Sequence, residues 1–330
     1  MSLLPWQDAD WTRFADQFAR LPHALLFTGA AGIGKDVFAR HVAQALLCEH
    51  PRADQRPCGQ CEACHWFAQD AHPDFRLLRP DHDEPAADGK PAARKLEVIK
   101  IEAVRHTIDF AYLSSHRGGR RVVLIDPAES MNLNAANALL KVLEEPPADV
   151  VFLLVSDALQ KLLPTLRSRC RIFPLTAPSQ TQALAWLNAH GEADAAVELA
   201  HAGGAPFALD DAAWRPLRRK LLSALAQPGM TAILDAAGAL DSAKLPLAAP
   251  VGWMQRWLHD LLGLRLAGLI RYYPDERAAL AALAPRLNVA RLPAFEQSLL
   301  HASRFGHHTL NVRMQLEQLL LAYQGLFAAA

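Results

Sequence analysis

A glycine-rich segment near the start of the chain has the residues needed to bind phosphate. It reads Gly29-Ala-Ala-Gly32-Ile-Gly34-Lys35-Asp36 and matches the pattern G-x-x-x-x-G-K, but it lacks the Ser or Thr that usually follows. In that pattern backbone N–H groups face a phosphate, the lysine reaches the outer phosphates and the hydroxyl binds Mg²⁺. Asp36 could itself bind Mg²⁺, or it could simply complement the helix N-terminus. The segment therefore predicts a phosphate-loop fold and leaves nucleotide binding open.

Close cysteine pairs form a second candidate site. The sequence places four cysteines within a short stretch, namely Cys48, Cys58, Cys61 and Cys64. A two-residue spacer lets both sulfurs of a pair reach one ion, so the spacing favours a structural Zn²⁺ site with tetrahedral geometry. An iron–sulfur cluster, a disulfide and free thiols are the alternatives, of which a reducing compartment disfavours the disulfide. Three nearby histidines could replace a thiol but are interpreted as surface residues: His50, His65 and His72.

Two further charged residues come after apolar segments. Asp126 ends the segment 121–126, at the position where phosphate-loop proteins hold Mg²⁺. Hydrolysing members usually place a glutamate next, whereas this chain has Pro127, which cannot act as a base. Arg169 follows the apolar segment 150–155. Its planar guanidinium suits a nucleotide phosphate, although an isolated arginine at such a position is more often half of a salt bridge.

Apolar runs and helical patterns alternate along the first half of the chain. Buried strands are predicted over 24–28, 121–126, 150–155 and 171–175. Helices are predicted over 36–47 and 132–145, and the second is ended by Pro146 and Pro147. Such alternation predicts a parallel sheet that is covered on both faces. Beyond residue 177 only helical patterns remain, so the predicted fold class is α/β plus all-α.

These patterns predict a division into an α/β core (1–177) with the cysteine module (48–64), a small helical domain (178–215) and a helical domain (216–330). The polar segment 81–93 is predicted to be a mobile loop, and a short helix is predicted over about 206–211. In the last domain four residues share one helical face and are predicted to be core, namely Trp253, Met254, Trp257 and Leu261. Arg218, Arg219 and Lys220 are predicted to lie on a solvated face.

Composition excludes several classes of protein. The chain has 330 residues, of which 51% are apolar, a proportion typical of globular proteins. Lys plus Arg and Asp plus Glu each number 34, so the zero net charge gives no overall attraction to nucleic acid or to a membrane. The start of the chain lacks the pattern of a signal peptide, and no apolar run approaches about 18 residues. We therefore expect a cytoplasmic location without membrane attachment.

Several of these segments together resemble the delta-prime subunits of the bacterial DNA polymerase III clamp loader, a family of AAA+ proteins. The resemblance covers roughly residues 20–175. Besides the phosphate loop and the cysteines, it rests on Leu-Pro-His-Ala-Leu-Leu-Phe at 21–27, Val-Val-Leu-Ile-Asp-Pro-Ala-Glu at 122–129, Asn-Ala-Ala-Asn-Ala-Leu-Leu-Lys-Val-Leu-Glu-Glu-Pro-Pro at 134–147, and Leu-Arg-Ser-Arg-Cys at 166–170.

The resemblance implies an AAA+ core, a small lid, and a helical collar that joins a five-subunit ring, with a zinc module after the phosphate-loop helix. Motor subunits of the tau/gamma type have Ser or Thr, Asp-Glu and a lid arginine where this chain has Asp36, Pro127 and Pro206. These replacements imply a stator without intrinsic ATPase activity. By the same resemblance, Arg169 is an arginine finger presented to the ATP of the adjacent motor subunit.

The implied partners are the tau/gamma and delta subunits, with the sliding clamp and primed DNA contacted through the complex, which belongs to the DNA polymerase III holoenzyme. The implied nucleotide site is degenerate, and its use by ATP and Mg²⁺ stays open; it comprises Gly29, Gly32, Gly34, Lys35 and Asp126. One alternative is an active tau/gamma-type ATPase. The other is a zinc-dependent DNA-binding protein with a relic phosphate loop.

Overall fold

The computed structural model describes residues 2–80, 98–116, 119–305 and 312–327. The described residues form two compact units, one within 2–185 together with 205–208 and the other comprising 186–204 and 209–327. The division into three domains stays a prediction. The predicted loop over 81–93 lies outside the described residues. Within the described ranges, no helix combines the length and the apolar character that crossing a bilayer requires.

A parallel sheet of five strands organises the first unit, and its strand order is β2-β3-β4-β1-β5. The strands are β1 (Ala24–Thr28), β2 (Phe75–Leu78), β3 (Arg121–Ile125), β4 (Val150–Ser156) and β5 (Arg171–Pro174). Every residue of β1, β3 and β4 is buried, because these strands are covered on both faces. The predicted strands are confirmed. The edge strand β2 was not predicted, since it is short and half exposed.

Helices cover the two faces of this sheet. They are α1 (Asp8–Ala15), α2 (Lys35–Leu47), α3 (Glu62–Ala68), α4 (Ile101–Tyr112), α5 (Leu133–Glu144) and α6 (Pro164–Arg167), and α7 (Gln180–Ala189) follows. On one face an aromatic cluster joins α1 and α2 to the sheet, with the ring of Phe38 5.5 Å from that of Phe27 and 6.0 Å from that of Phe173. On the other face α5 packs through buried residues such as Leu139. The predicted helices over 36–47 and 132–145 are confirmed to within one residue.

The second unit is helical. Its helices are α8 (Ala195–His201), α9 (Arg215–Ala226), α10 (Met230–Ser242), α11 (Ala248–Ala267), α12 (Arg277–Leu283), α13 (Leu292–Phe305) and α14 (Val312–Gln324). The predicted apolar face of α11 is buried in its core. There the Trp257 indole N–H donates to the Tyr323 hydroxyl at 2.8 Å, and that hydroxyl donates to the Leu225 carbonyl at 3.0 Å. The fold class predicted from the sequence, α/β plus all-α, is confirmed.

Two local predictions are wrong. Residues 206–211 form a turn and extended chain, not a helix. The Phe207 N–H donates to the Gly32 carbonyl at 2.9 Å, which holds the segment 205–208 against the glycine-rich loop. Arg218 does not lie on a solvated face. It is buried, and its guanidinium forms ion pairs with the carboxylates of Glu198 at 2.7 Å and Asp210 at 2.5 Å. Sequence periodicity could not identify these partners, since they lie on other elements.

Candidate functional site

A cleft of about 370 Å³ lies at the carboxyl edge of the sheet, where the loops after β1, β3 and β4 meet. The carboxyl ends of parallel strands are the usual place for ligands in open α/β sheets. The residues lining the cleft are Gly32, Gly34, Lys35, Asp36, Asp126, Pro127, Val155, Asp157 and Phe207. The structure thus brings together Gly32, Gly34, Lys35 and Asp126 of the five residues named from the sequence, and it adds Asp157; Gly29 is not among the residues that line the cleft.

Lys35 is bound by groups of its own chain. Only 3% of its side chain is exposed, and its ammonium forms an ion pair with Asp157. It also donates to the carbonyls of Gly29 at 3.1 Å and Ala30 at 2.5 Å. These acceptors take up the three N–H groups that a lysine offers. Sequence reasoning missed Asp157, although its position directly after β4, like that of Asp126 after β3, was a usable signal.

A second cation neutralises the other carboxylates of the cleft. The Arg79 guanidinium donates to Asp126 Oδ2 at 2.7 Å and lies 3.8 Å from Asp36. Burial, together with the negative charges of Asp36 and Asp157, raises the pKa of Asp126 above its ordinary value, although Arg79 acts in the opposite direction. Pro127 follows in a cis peptide bond. A nucleotide phosphate entering here would meet carboxylates, and it would have to compete for cations that are already paired.

The carbonyls of the glycine-rich loop accept hydrogen bonds from distant parts of the chain. The Phe207 backbone N–H binds the Gly32 carbonyl, and the Trp6 indole N–H binds the Ile33 carbonyl at 3.0 Å. The Gln7 side-chain amide donates to the Gly34 carbonyl at 2.7 Å. These bonds fix the loop from both of its flanks, so the loop is an integral part of the packing of the first unit.

Two of the loop glycines are required by packing. Gly32 and Gly34 have φ values of 72° and 82°, which lie in the left-handed region. A Cβ atom on Gly32 would lie 2.5 Å from the Cβ atom of Ala208. A Cβ atom on Gly34 would lie 2.2 Å from a methyl group of Leu4. Both glycines are therefore needed for close contacts within the protein, whether or not a phosphate binds.

The four cysteines converge as the spacing predicted. Their sulfurs all lie within 4.8 Å of one another, and the Cys48–Cys61 and Cys58–Cys64 sulfur pairs are 3.9 Å apart. Ligands 2.3 Å from a tetrahedral Zn²⁺ stand about 3.8 Å apart, whereas a disulfide requires about 2.05 Å. The cluster can therefore hold a metal ion.

Burial and backbone groups act in opposite directions on the thiols of the cluster, because burial raises the pKa of Cys48 and Cys64 above the ordinary value. Backbone N–H groups of Gln60 and Cys61 point at the Cys58 sulfur at 3.4 and 3.3 Å, and they lower the pKa of that thiol to about 6. The thiolate is the form that binds metal. Among the described residues, the ligand group contains none of the three histidines. His50 and His65 are exposed as predicted, but His72 is buried and accepts from the Asp74 N–H at 3.1 Å.

Arg169 lies two residues beyond α6, and about a third of its side chain is exposed. One guanidinium nitrogen donates to the Thr165 carbonyl at 2.8 Å. Another forms an ion pair with Glu144, the last residue of α5. The geometry thus combines a salt bridge with a partly exposed side chain whose guanidinium is oriented by two contacts. Sequence reasoning did not identify Glu144 as its partner.

Comparison with known proteins gives matches along most of the chain. Residues 7–179 match the sequence profile of the family described as "DNA polymerase III, delta subunit", and residues 213–325 match that of "DNA polymerase III, delta subunit, C terminal". The chain is 34% identical to the DNA polymerase III subunit delta' of Pseudomonas aeruginosa, over 98% of each chain. It is also 34% identical to the delta' subunit of Escherichia coli, over 57% of this chain and 53% of that protein.

A tau subunit and a solved structure are also similar. The DNA polymerase III subunit tau of Salmonella typhimurium is 39% identical over 48% of this chain and 22% of its own length. The crystal structure of a DNA polymerase III gamma subunit-related protein from Thermotoga maritima is 16% identical and aligns with a TM-score of 0.38, over 97% of this chain and 99% of that one.

We expect Gly32→Ala to destabilise the protein through a steric clash, and not only through backbone strain. The matched control is Gly191→Ala, because Gly191 has a φ of 73° but nothing within 4 Å of an added Cβ atom. The control should lose about 1–2 kcal/mol of unfolding free energy, the usual cost of a left-handed alanine. Gly32→Ala should lose about 1–3 kcal/mol more through overpacking against Ala208. Urea denaturation measures both values, and equal losses would contradict the packing role of Gly32.

Proposed function

Because the chain belongs to the delta' family of DNA polymerase III subunits, we propose that it is a non-hydrolysing subunit of a clamp loader. In this proposal it assembles with motor subunits of the tau/gamma type and with a delta subunit in a five-subunit ring. The ring loads a sliding clamp onto primed DNA in the cytoplasm. The chain contributes to polymerase holoenzyme activity as a member of the complex and has no ATPase reaction of its own.

The observation that carries the proposal is the state of Lys35. A motor subunit needs this lysine for the outer phosphates of ATP, together with a metal-binding hydroxyl and a glutamate that orients the attacking water. Here Lys35 is paired with Asp157, and the other two positions hold Asp36 and Pro127. Electrostatic groups of this kind each contribute several kcal/mol to lowering a barrier. Because the lysine is already paired and the other two groups are absent from the cleft, we infer a subunit that holds the ring together without turning over ATP.

The partial exposure of the Arg169 side chain supports a role in trans. An arginine supplied by a neighbour stabilises the negative charge that develops on the transferred phosphoryl group. Arginine is suited to this because it is always charged and offers a planar array of donors. We therefore assign Arg169 as the finger that this chain presents to the ATP of the adjacent motor subunit.

We also propose that the cysteine cluster holds one Zn²⁺ ion in a structural role. All four ligands are thiols, which leaves no position for the water that a catalytic zinc requires. The ion would be held by Cys48, Cys58, Cys61 and Cys64, and would tie the end of α2 to the start of α3. Its contribution is to the stability of this part of the chain.

The purified chain, assayed alone with ATP and Mg²⁺, is expected to show no hydrolysis above that of its Lys35→Ala variant. The physical reason is that Lys35 is already paired and that no general base stands at position 127. Release of phosphate from radiolabelled ATP measures the rate. Clear Lys35-dependent turnover would contradict the stator and would support the active ATPase.

In a loader reconstituted with the partner subunits of the same organism, Arg169→Ala should remove fast hydrolysis at the one site that faces this chain. Arginine fingers raise the rate of hydrolysis about 10³–10⁵-fold. The amount of ATP hydrolysed in the rapid first turnover should therefore fall by one equivalent per complex. Quenched-flow measurement of that burst tests the prediction. The control is Arg171→Ala, an exposed arginine two residues away. A burst of unchanged amplitude in Arg169→Ala would refute the finger assignment.

Metal analysis of the purified chain is expected to give one zinc ion per molecule. Cys61→Ser should lose this ion and lower the melting temperature of the first unit, because a neutral hydroxyl cannot replace a thiolate ligand. Cys170→Ser is the control, since Cys170 is buried outside the cluster and burial raises the pKa of its thiol to about 12. Full zinc content in Cys61→Ser, or iron in the wild-type protein, would contradict the assignment.

A further inference from the structure

The contacts of Arg169 point to a second residue that matters for hydrolysis in trans. We propose that Glu144 is the positioning residue of the arginine finger: its carboxylate fixes the direction in which the Arg169 guanidinium faces the neighbouring nucleotide. This inference rests on the proposed function. Glu144 itself does not contact the nucleotide, and it acts only through Arg169.

Two elements hold the guanidinium from different sides. The Thr165 carbonyl, within α6, accepts from one terminal nitrogen at 2.8 Å, and the Glu144 carboxylate binds the other. The same Thr165 carbonyl accepts from the Ser168 hydroxyl at 3.0 Å, which ties down the turn that carries the arginine. A guanidinium has five N–H groups, so two contacts orient its plane and leave donors for a phosphate. A long side chain that is ordered in advance loses less freedom when it engages its target.

The position of Glu144 on its helix is a separate observation. Glu144 ends α5, and Glu145 follows before Pro146 and Pro147. Carboxylates at the C-terminal end of a helix are disfavoured by the partial negative charge of the exposed carbonyls. Glu144 is stabilised there by its ion pair with Arg169, whereas Glu145 forms no ion pair among the described residues. The buried neighbour Leu143 anchors this end of α5 beside the sheet, so the carboxylate stands on a fixed support.

The negative charge of Glu144 limits the ways in which this residue can promote hydrolysis. Its negative charge lies beside the guanidinium and weakens the attraction of that group for a phosphate. Any gain in hydrolysis must therefore come from geometry, meaning a hydrogen-bond acceptor at a fixed place. A neutral acceptor of the same shape should then replace the carboxylate, and a methyl group should not.

The experiment uses the reconstituted loader and compares Glu144→Ala with Glu144→Gln. The matched control is Glu145→Ala, which removes the same charge from the neighbouring position. Burst hydrolysis is measured at a series of ATP concentrations, and gel filtration verifies incorporation of each variant. We expect Glu144→Ala to slow hydrolysis at the site facing Arg169 by about tenfold, within the range for misplaced catalytic groups, with unchanged half-saturation by ATP. Glu144→Gln should stay within about twofold of the wild type, as should the control.

The outcomes separate this inference from the proposed function. If Arg169→Ala slows the burst and Glu144→Ala does not, the positioning role is wrong and the finger stands. If Arg169→Ala itself has no effect, the proposed function has failed. Faster hydrolysis in both Glu144 variants would show that the carboxylate sequesters the arginine, which overturns the inference. Loss of incorporation, or equal slowing in Glu144→Gln and Glu144→Ala, would overturn it as well.

Discussion

The first unit depends on one tightly curled stretch of backbone between β1 and α2. Its carbonyls accept from Trp6, Gln7 and Phe207, and the lysine that follows is held by the loop and by Asp157. A buried Lys35 ammonium without partners would be strongly unfavourable. The loop must therefore pack in a conformation that also gives this ammonium its acceptors. The N-terminal segment, the segment 205–208 and the loop after β4 are all placed by that requirement.

The cleft and the cysteine cluster differ in how their charges are compensated. In the cleft, cations and carboxylates neutralise each other, which leaves little for a ligand to gain. In the cysteine cluster, four thiols lie close together, backbone N–H groups point at their sulfurs, and the group can hold a cation. The family relationship is common to both sites, but their geometry differs: the cations of the cleft are already paired, whereas the four thiols are close enough to hold a metal ion.

Sequence patterns predicted the parts of the molecule that depend on local rules. Strands β1, β3, β4 and β5 are apolar runs, and the cysteine cluster follows from spacing along the chain. The features that were missed depend on contacts between distant segments. The partner of Lys35 follows another strand, and the partner of Arg169 ends another helix. The segment 206–211 was predicted to be a helix, but the backbone N–H of Phe207 binds the glycine-rich loop instead. The periodicity of apolar residues does not indicate which distant segments come into contact.

The glycines of the loop have a consequence for how such proteins change over evolutionary time. Gly32 and Gly34 are closely approached by Ala208 and Leu4, so selection for folding alone would preserve this glycine pattern even in a chain that binds no nucleotide. Single substitutions would also not create a complete hydrolytic site. Introducing a hydroxyl at position 36 and a glutamate at position 127 would still leave Lys35 bound to Asp157. A cleft with a free lysine, a metal-binding hydroxyl and a glutamate would therefore require several changes in this chain at once.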